Sequence, residues 1–527
     1  MRSSSRLDPA AWGRRSPDRA GSSPPPSATP STAPDERPRF LSEADCRDIG
    51  HRLARFAQGG GETIATIFSE WRGNVRWGRN RITTSGESRL AEVTVHRYMG
   101  GGNQADVEFN DLSDPAFVAA VRQAERLAQL TRAVPESDLI THFAPEPITA
   151  SPALFFDATY QLDAGHRAAA VHHLAQAAVA AGMLSAGYIE VSAHSMANIT
   201  SWGYVRYFQY TWARYSVTVR DPQGTGSGWV GVDGADWSRI DGPTLSALAL
   251  EKCLTSRHPV AIEPGRYTTI LEPQAVCDFV GQLVYRGWVP VDFGALDRVW
   301  NEGSSEAPFN QRPSRTGPFP SALGVSQLGA RVVDERITIS ADPMDPECGF
   351  PPFDNEPGRT DSAVQDNVYH AATWIEHGVL TNLAYSRAYG QVRLGLDTGL
   401  PKEGAFRMSG GTTSMAEMIA TTPRGLLVTR FDTNPGMMQT MELKSLLLRG
   451  YTRDGLWLIE HGRIAKPVQN MEFTESILFA LNNVEQLGVP QRTFHPPGDW
   501  IDALPQPVIV PPLKIRDFSF TALSGAI

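Results

Sequence analysis

Residues 187–220 read GYIEVSAHSMANITSWGYVRYFQYTWARYSVTVR. Val, Ile, Tyr, Phe, Trp and Thr dominate this stretch, and these are the residues that fit a pleated, half-buried surface. Apolar and polar positions alternate through much of it, so we read four strand-like runs at 187–193, 196–201, 205–211 and 214–220. Helical spacing precedes them at 164–181 and follows them at 241–255. In the run Trp202, Tyr204, Arg206, Phe208, Tyr210, the alternation predicts one packed sheet face. An edge able to take a peptide by strand addition is the other use of such a run.

Working towards the N-terminus, residues 43–68 read as helical on either side of the Gly59-Gly60-Gly61 break. Strand-like alternation returns at Asn74–Ile82 and Ala91–Tyr98, a hairpin pair ahead of the Gly100–Gly102 turn. Asp111-Leu112-Ser113-Asp114-Pro115 is a good helix start, with a capping residue ahead of a first-turn proline. Phe117, Val118, Val121, Ala124 and Ala128 then mark one helical face. Towards the C-terminus, beyond Pro259, short strands with Gly and Pro punctuation prevail. Helices are expected near 273–285, 414–421 and 474–487. The fold class expected is therefore α+β: an α/β N-terminal domain at 40–255, built of units at about 40–135 and 150–255, and a β-rich C-terminal domain at 256–527.

The bulk properties bound the function. A chain of 527 residues with 41% hydrophobic and 20% charged residues has room for two or three cores. A net charge of −9 argues against a general nucleic-acid binder, which needs a concentrated basic face. No apolar run approaches the roughly 18–20 residues of a membrane span. The four cysteines, Cys46, Cys253, Cys277 and Cys348, are scattered without a CxxC pair, a pattern that fits a reducing cytoplasm. Residues 1–39, rich in Pro, Ser and Arg, cannot bury enough apolar surface to offset chain entropy, and a disordered tail is expected. Arg14-Arg15 is followed by Ser16-Pro17-Asp18-Arg19 rather than an apolar region, so an export signal is not expected.

Several segments, in order and spacing, resemble the TldD/PmbA metallopeptidase family. They are Asn74–Ile82, the 106–131 turn and helix, Tyr188–Gly203, Phe353–Thr360, Ile375–Leu380, Arg424–Val428 and Ile459–Ile464 with Pro467-Val468. The resemblance implies a two-domain protein that dimerises around an internal peptide-degrading chamber. Active members carry a His-Glu-x-x-x-His helix whose two histidines hold a metal while the Glu activates water. The chemistry needs closely placed neutral imidazoles, a further ligand and an open position, so that the ion can acidify bound water.

The equivalent helix here follows Pro264–Leu271 and reads EPQAVCDFVGQL (272–283), without a histidine. No His-Glu dipeptide occurs anywhere in the chain, and the last cysteine is Cys348, far from the C-terminal position of the family's cysteine ligand. The helix instead resembles the PmbA/TldE side of the family. Neither a catalytic residue nor a metal or cofactor is therefore expected in this chain.

Glu272, Cys277 and Asp278 mark the degenerate helix, where capping and core packing is the simpler reading than ligation. Their spacing directs Glu272 and Cys277 to different faces. His166 and His173 share a helix face two turns apart, too far for one ion, and His172 adds no closer pair. His370 and His377 fall on adjacent expected strands. Asp354 and Glu356 form a carboxylate pair in a turn, where such residues usually shape the turn; lining the chamber is their other possible role. Pro357 departs from the family's turn and weakens that carry-over.

Three functions follow. The first is a non-catalytic subunit paired with a zinc-bearing TldD-type protease, handling unfolded or modified peptides. The second is a stand-alone peptide-binding homodimer. The third is an active peptidase with an atypical site. No nucleic-acid or membrane partner is expected.

Overall fold

The computed structural model describes residues 40–99, 103–130, 146–287, 327–353, 368–384, 395–401, 404–433, 437–442, 445–495 and 504–525. The tail, the Gly100–Gly102 turn, Asp354 and Glu356 lie outside the described residues.

Helix α1 (Glu43–Phe56) opens on a capping box in which Ser42 and Asp45 satisfy each other's backbone N–H groups. The chain then forms β1 (Glu62–Gly78), β2 (Arg81–Tyr98), β3 (Gln104–Phe109) and α2 (Asp114–Leu130). After α3 (Asp157–Tyr160) and α4 (Ala164–Ala180) come β4 (Leu184–Thr200), β5 (Val205–Arg220), β6 (Ser227–Gly234) and α5 (Gly242–Thr255). The strands make one antiparallel sheet in the order β3-β2-β1-β4-β5-β6. The stretches before and after residue 150 thus share a single sheet through the β1–β4 pairing.

Three expectations are corrected here. The helical reading continued past the triple glycine to residue 68, but Glu62 onward is strand. Its β-branched and aromatic residues lie in a strand buried along both faces, so burial is nearly continuous and the period-2 signal is hidden. Asn74–Ile82 is not one strand: the chain turns at Arg79 and Asn80, both with positive φ, between β1 and β2. The four runs in 187–220 are two long strands. Ser192, His194, Ser195 and Asn198 look like strand breakers by propensity, yet the ladder runs through them unbroken.

The two faces of this sheet differ. One buries Ala65, Ile67, Val75, Trp77, Ile189, Ile199, Tyr215 and Val217 against the helices. The other carries Phe68, Met196, Phe208 and Tyr210, which pack on Phe350, Phe353 and Tyr369 from the second half of the chain. In the run from Trp202, the residues Arg206, Phe208 and Tyr210 are buried, whereas Trp202 is exposed.

The second half supplies β7 (Gly265–Leu271), α6 (Pro273–Gly287), β8 (Ile339–Ala341), β9 (Ala372–Glu376), β10 (Val379–Leu380), β11 (Phe406–Met408) and α7 (Met415–Ala420). It continues with β12 (Arg424–Phe431), β13 (Gln439–Glu442), β14 (Leu447–Glu460), β15 (Arg463–Pro467), β16 (Met471–Ser476) and α8 (Ile477–Asn482). Strands β17 (Val484–Leu487), β18 (Gln491–Arg492), β19 (Val508–Val510) and β20 (Leu513–Leu523) complete it. The helix expected across 474–487 is instead a strand end, the short helix α8 and another strand. The alternating Met471, Phe473 and Glu475 are the buried positions of β16.

One sheet runs β10-β9-β8-β11-β19-β18. The other runs β12-β7-β20-β16-β14-β13, and β12 also pairs with β14, so five strands close into a ring without free edges. Inside it, Phe279 of α6 meets Phe431, Phe473 and Phe518 at centroid distances of 6.0, 6.0 and 5.5 Å. Among the described residues, no helix is long and apolar enough to cross a membrane.

Candidate functional site

The site is built around α6. Parallel pairing of β7 with β12 delivers the chain to the helix start, where the Glu272 N–H donates to the Val428 carbonyl at 3.0 Å. Pro273 begins the helix, a position where a missing N–H costs nothing. Ala275, Val276, Phe279, Val280 and Leu283 then face the core, all at 0% exposure. That apolar stripe fixes where the polar positions 272, 274, 277 and 278 must point.

Each sequence candidate on this helix is engaged. Lys252 Nζ donates to the Glu272 carboxylate at 2.6 Å, and Thr429 Oγ1 reaches its other oxygen at 3.4 Å. Asp278, buried, accepts from the Phe431 N–H at 2.9 Å and from Gln274 Nε2 at 2.8 Å. Desolvation is the largest influence on its carboxyl and outweighs Arg430 and these hydrogen bonds, raising the pKa to about 6. The Cys277 Sγ lies 4.0 Å from the Phe494 carbonyl and 4.0 Å from His495 Nδ1. Burial, then the neighbouring Asp278, pushes its thiol well above the ordinary range.

The structure adds residues that the sequence did not single out. Gln274 clasps the backbone of Phe494, and beside it the His495 N–H donates to Asp233 Oδ2 at 3.1 Å. Asp233 stands at the end of β6, buried, with its Oδ1 unpaired, and desolvation lifts its carboxyl to about 6. Desolvation and then Arg214 hold the His495 imidazole down to about 4. The segment 492–495 therefore joins α6 to the last strand of the N-terminal sheet.

Behind it, that sheet's inner face holds a buried charged cluster. Arg72 donates to Glu70 at 2.6 Å, and Arg214 donates to Glu190 at 2.9 Å. Tyr188 also donates to Glu190. His194 bonds Ser192 at 2.7 Å and stacks on Tyr210 with centroids 4.5 Å apart. Desolvation, then Arg72 and Arg214, keeps that imidazole neutral, with its pKa well below the usual value. Charged residues recurring at 70 and 72, 190 and 194, and 214 were the available signal. Assigning them to one face required the strand register.

The other histidine candidates are not brought together. Asp163 caps α4 by accepting the His166 N–H, with the His166 ring on the same carboxylate oxygen, and His172 bonds Gln176. The expectation that His370 and His377 sit on adjacent strands is corrected. His370 precedes β9 and pairs with Glu146 at 2.7 Å, while His377 occupies a turn with φ 47°. A separate open cleft of about 390 Å³ is lined by Gly224, Thr225, His258, Asp454 and Asn470. Its Asp454 is committed to Ser227 and to two bonds from Arg430.

The donor set does not fit a hydrolytic zinc, which needs three protein ligands and an open position. Among the described residues, no group of three or more His, Cys, Asp or Glu is arranged to hold a metal.

Comparison with known proteins places this geometry. Residues 320–522 match the family model described as the PmbA/TldA metallopeptidase C-terminal domain. Residues 320–522 thus carry a C-terminal domain of the PmbA/TldD type. No curated protein matches the sequence. The family fold extends beyond the matched segment. A proposed modulator of a DNA gyrase from Thermotoga maritima superposes with a TM-score of 0.70 at 13% identity, over 90% of this chain and 99% of that one. TldE from Thermococcus kodakarensis gives 0.64 at 14%, over 91% and 99%. A second proposed gyrase modulator, from Bacteroides thetaiotaomicron, gives 0.67 at 14%, over 92% and 100%. At such identities the TldD/PmbA likeness of the N-terminal half is one of fold.

Proposed function

We propose that this chain is a TldE/PmbA-like subunit without hydrolytic activity of its own. It works beside a TldD-type metallopeptidase that supplies the zinc, in degrading or trimming unfolded and modified peptides. The observation that carries this reading is the composition and engagement of α6. Where active members of the family place two imidazoles and a general base, this helix offers Glu272 bound to Lys252, and Cys277 and Asp278 buried in packing and hydrogen bonds. None of the three is placed to activate water. The likeness to TldE supports the same side of the family.

The role left to such a subunit is to shape a chamber and bind the substrate backbone. The test is metal content and peptidase activity of the purified chain, alone and after addition of a TldD-type protein with an intact His-Glu-x-x-x-His helix. The expected result is no stoichiometric zinc and no cleavage alone, with cleavage on mixing that a chelator abolishes. Tightly bound zinc in the isolated chain, with chelator-sensitive cleavage, would establish an atypical active site instead. A chain that binds peptides and ignores such partners would establish the stand-alone homodimer.

A further inference from the structure

On the inner face of the N-terminal sheet, one corner is polar and open. The ladder registers place Arg72 between Ser88 and Ser192, Asn74 between Gly86 and Glu190, and Arg76 between Thr84 and Tyr188. Side chains two apart on a strand share a face, so these positions line up in rows across the sheet. Trp212 and Arg214 on β5 extend the rows of Arg72 and Asn74. Burial falls away along β1: Phe68 and Glu70 are buried, Arg72 and Asn74 half-buried, and Arg76 exposed. On the β2 side the rows begin with the small residues Thr84, Gly86 and Ser88, and a Cβ added to Gly86 would meet nothing within 4 Å. The result is a trough with open space over Gly86 and an arginine at each end of its β1 wall.

The donors of this corner outnumber its acceptors. Arg72 pairs with Glu70 at 2.6 Å and Arg214 with Glu190 at 2.9 Å, yet the Nε of each arginine has no hydrogen-bond partner. The indole N–H of Trp212, 4% exposed, has none either. Buried donors without an acceptor are rare in folded chains, and a bound group is one way to complete them. Arg76 lies over the Tyr188 ring at 4.9 Å and forms no ion pair among the described residues. Asp233, beside Arg214 in its row, has Arg492 as a further counter-charge. Four guanidinium groups thus face three carboxylates, with the imidazole of His194 neutral. We propose that this trough holds one carboxylate of a bound peptide, its C-terminal group or an acidic side chain, with Arg76 as the first contact. A single negative charge balances the corner. A phosphate dianion would overshoot beside Glu190, and a cation would add to the surplus. The flat carboxylate also matches the parallel N–H pair of a guanidinium. Only the peptide as bearer of that group rests on the proposed function; the surplus of donors and charge does not.

The test uses the full chain and fluorescence anisotropy with one labelled, unstructured peptide in matched forms: the free acid, its C-terminal amide, and a form with every Asp and Glu replaced by Asn and Gln. The free acid should bind at least about tenfold more tightly than the form that lacks the recognised group. Loss on amidation identifies the C-terminus as that group, and loss on Asn and Gln replacement identifies a side chain. Arg76→Gln should abolish the preference at an unchanged melting temperature, since Arg76 is exposed and holds no ion pair. Arg126→Gln, on the exposed side of α2 across the sheet, should keep it. Equal affinity for the matched forms overturns the inference, as does a preference that survives Arg76→Gln, or binding of none of them. Equal affinity with cleavage that depends on a TldD-type partner removes this site and leaves the proposed function standing. A carboxylate preference lost in Arg76→Gln, in a chain that holds stoichiometric zinc and cleaves alone, keeps the site and overturns the proposed function.

Discussion

Gln274 and Phe494, 220 residues apart, are joined amide to amide: the Gln274 Nε2 donates to the Phe494 carbonyl at 2.9 Å, and the Phe494 N–H donates to Gln274 Oε1 at 2.9 Å. This reciprocal pair resembles one rung of a β-ladder made by a side chain. The same Nε2 also donates to Asp278 at 2.8 Å. Gln274→Ala removes all three bonds, leaving a part-buried backbone pair and a buried carboxylate short of a donor. We expect a loss of about 2–3 kcal/mol in urea unfolding. Gln274→Glu cannot donate and sets a second carboxylate beside Asp278, so it should be no better. A Gln274→Ala variant as stable as the native chain would mean that the clasp contributes nothing net.

Asp278 gives a pH dependence whose sign is fixed by its environment. Its carboxyl titrates at about 6 in the folded chain and near 3.8 when unfolded, because burial disfavours the charge. Between these values the native state holds more protons than the unfolded state, so stability from this group is present at low pH and is lost as pH rises towards 6. Asp233 behaves the same way, and His194, held neutral, acts in the opposite sense. Substitution isolates one group. The melting temperature of Asp278→Asn, relative to native, should climb as pH goes from 4 to 6.5, by on the order of 2–3 kcal/mol in stability. A difference that is flat or falls with pH would show that Asp278 is charged in the native state throughout.

The legible parts of the fold were those with one dry face. Helices at 164–181, 241–255 and 273–285 stand within a residue or two of α4, α5 and α6, because capping residues and apolar stripes mark them locally. Asp163 and Asp241 accept the capping N–H groups of α4 and α5. What hid was β1, whose two-sided burial removes alternation, and the continuity of β4, whose backbone is held along its length by pairing with β1, more than 100 residues away, and with β5. The site was half legible. The absence of imidazoles on 272–283 is a fact of sequence, whereas Gln274, Asp233 and His495 meet only through tertiary closure, across 220 and 262 residues.

The thiols offer a chemical check on packing. Cys46, Cys253, Cys277 and Cys348 are all free and buried. Burial raises their thiols to about 12 for Cys46 and Cys348 and about 11 for Cys253, and well above the ordinary range for Cys277. Only the thiolate attacks disulfide reagents. At pH 8 the native chain should therefore react with such a reagent at the rate of its own unfolding, and all four groups should react at once in denaturant. Fast labelling of Cys277 in the native protein would show that α6 is open to solvent.

The triple glycine that turns α1 into β1 allows the sharpest comparison. Gly59, Gly60 and Gly61 have φ of 80°, 75° and 78°, a region that costs an L-residue roughly 1–2 kcal/mol. Arg97, 1% exposed, locks the loop by donating to the carbonyls of Gln58 and Gly60 at 3.0 and 2.7 Å, and to Glu125 at 3.0 Å. A Cβ on Gly60 would meet nothing within 4 Å, whereas one on Gly61 would lie 2.0 Å from the Tyr98 carbonyl oxygen. The dihedral penalty is shared and the clash is not. Gly60→Ala should thus cost about 1–2 kcal/mol, the conformational term alone. Gly61→Ala must in addition push β1 away from the end of β2, the pair that anchors the sheet, so its loss should be at least twice as large. The difference in unfolding free energy between the two variants measures that contact directly. Equal losses would mean that the loop relaxes around Gly61 and that Arg97 does not hold it in place.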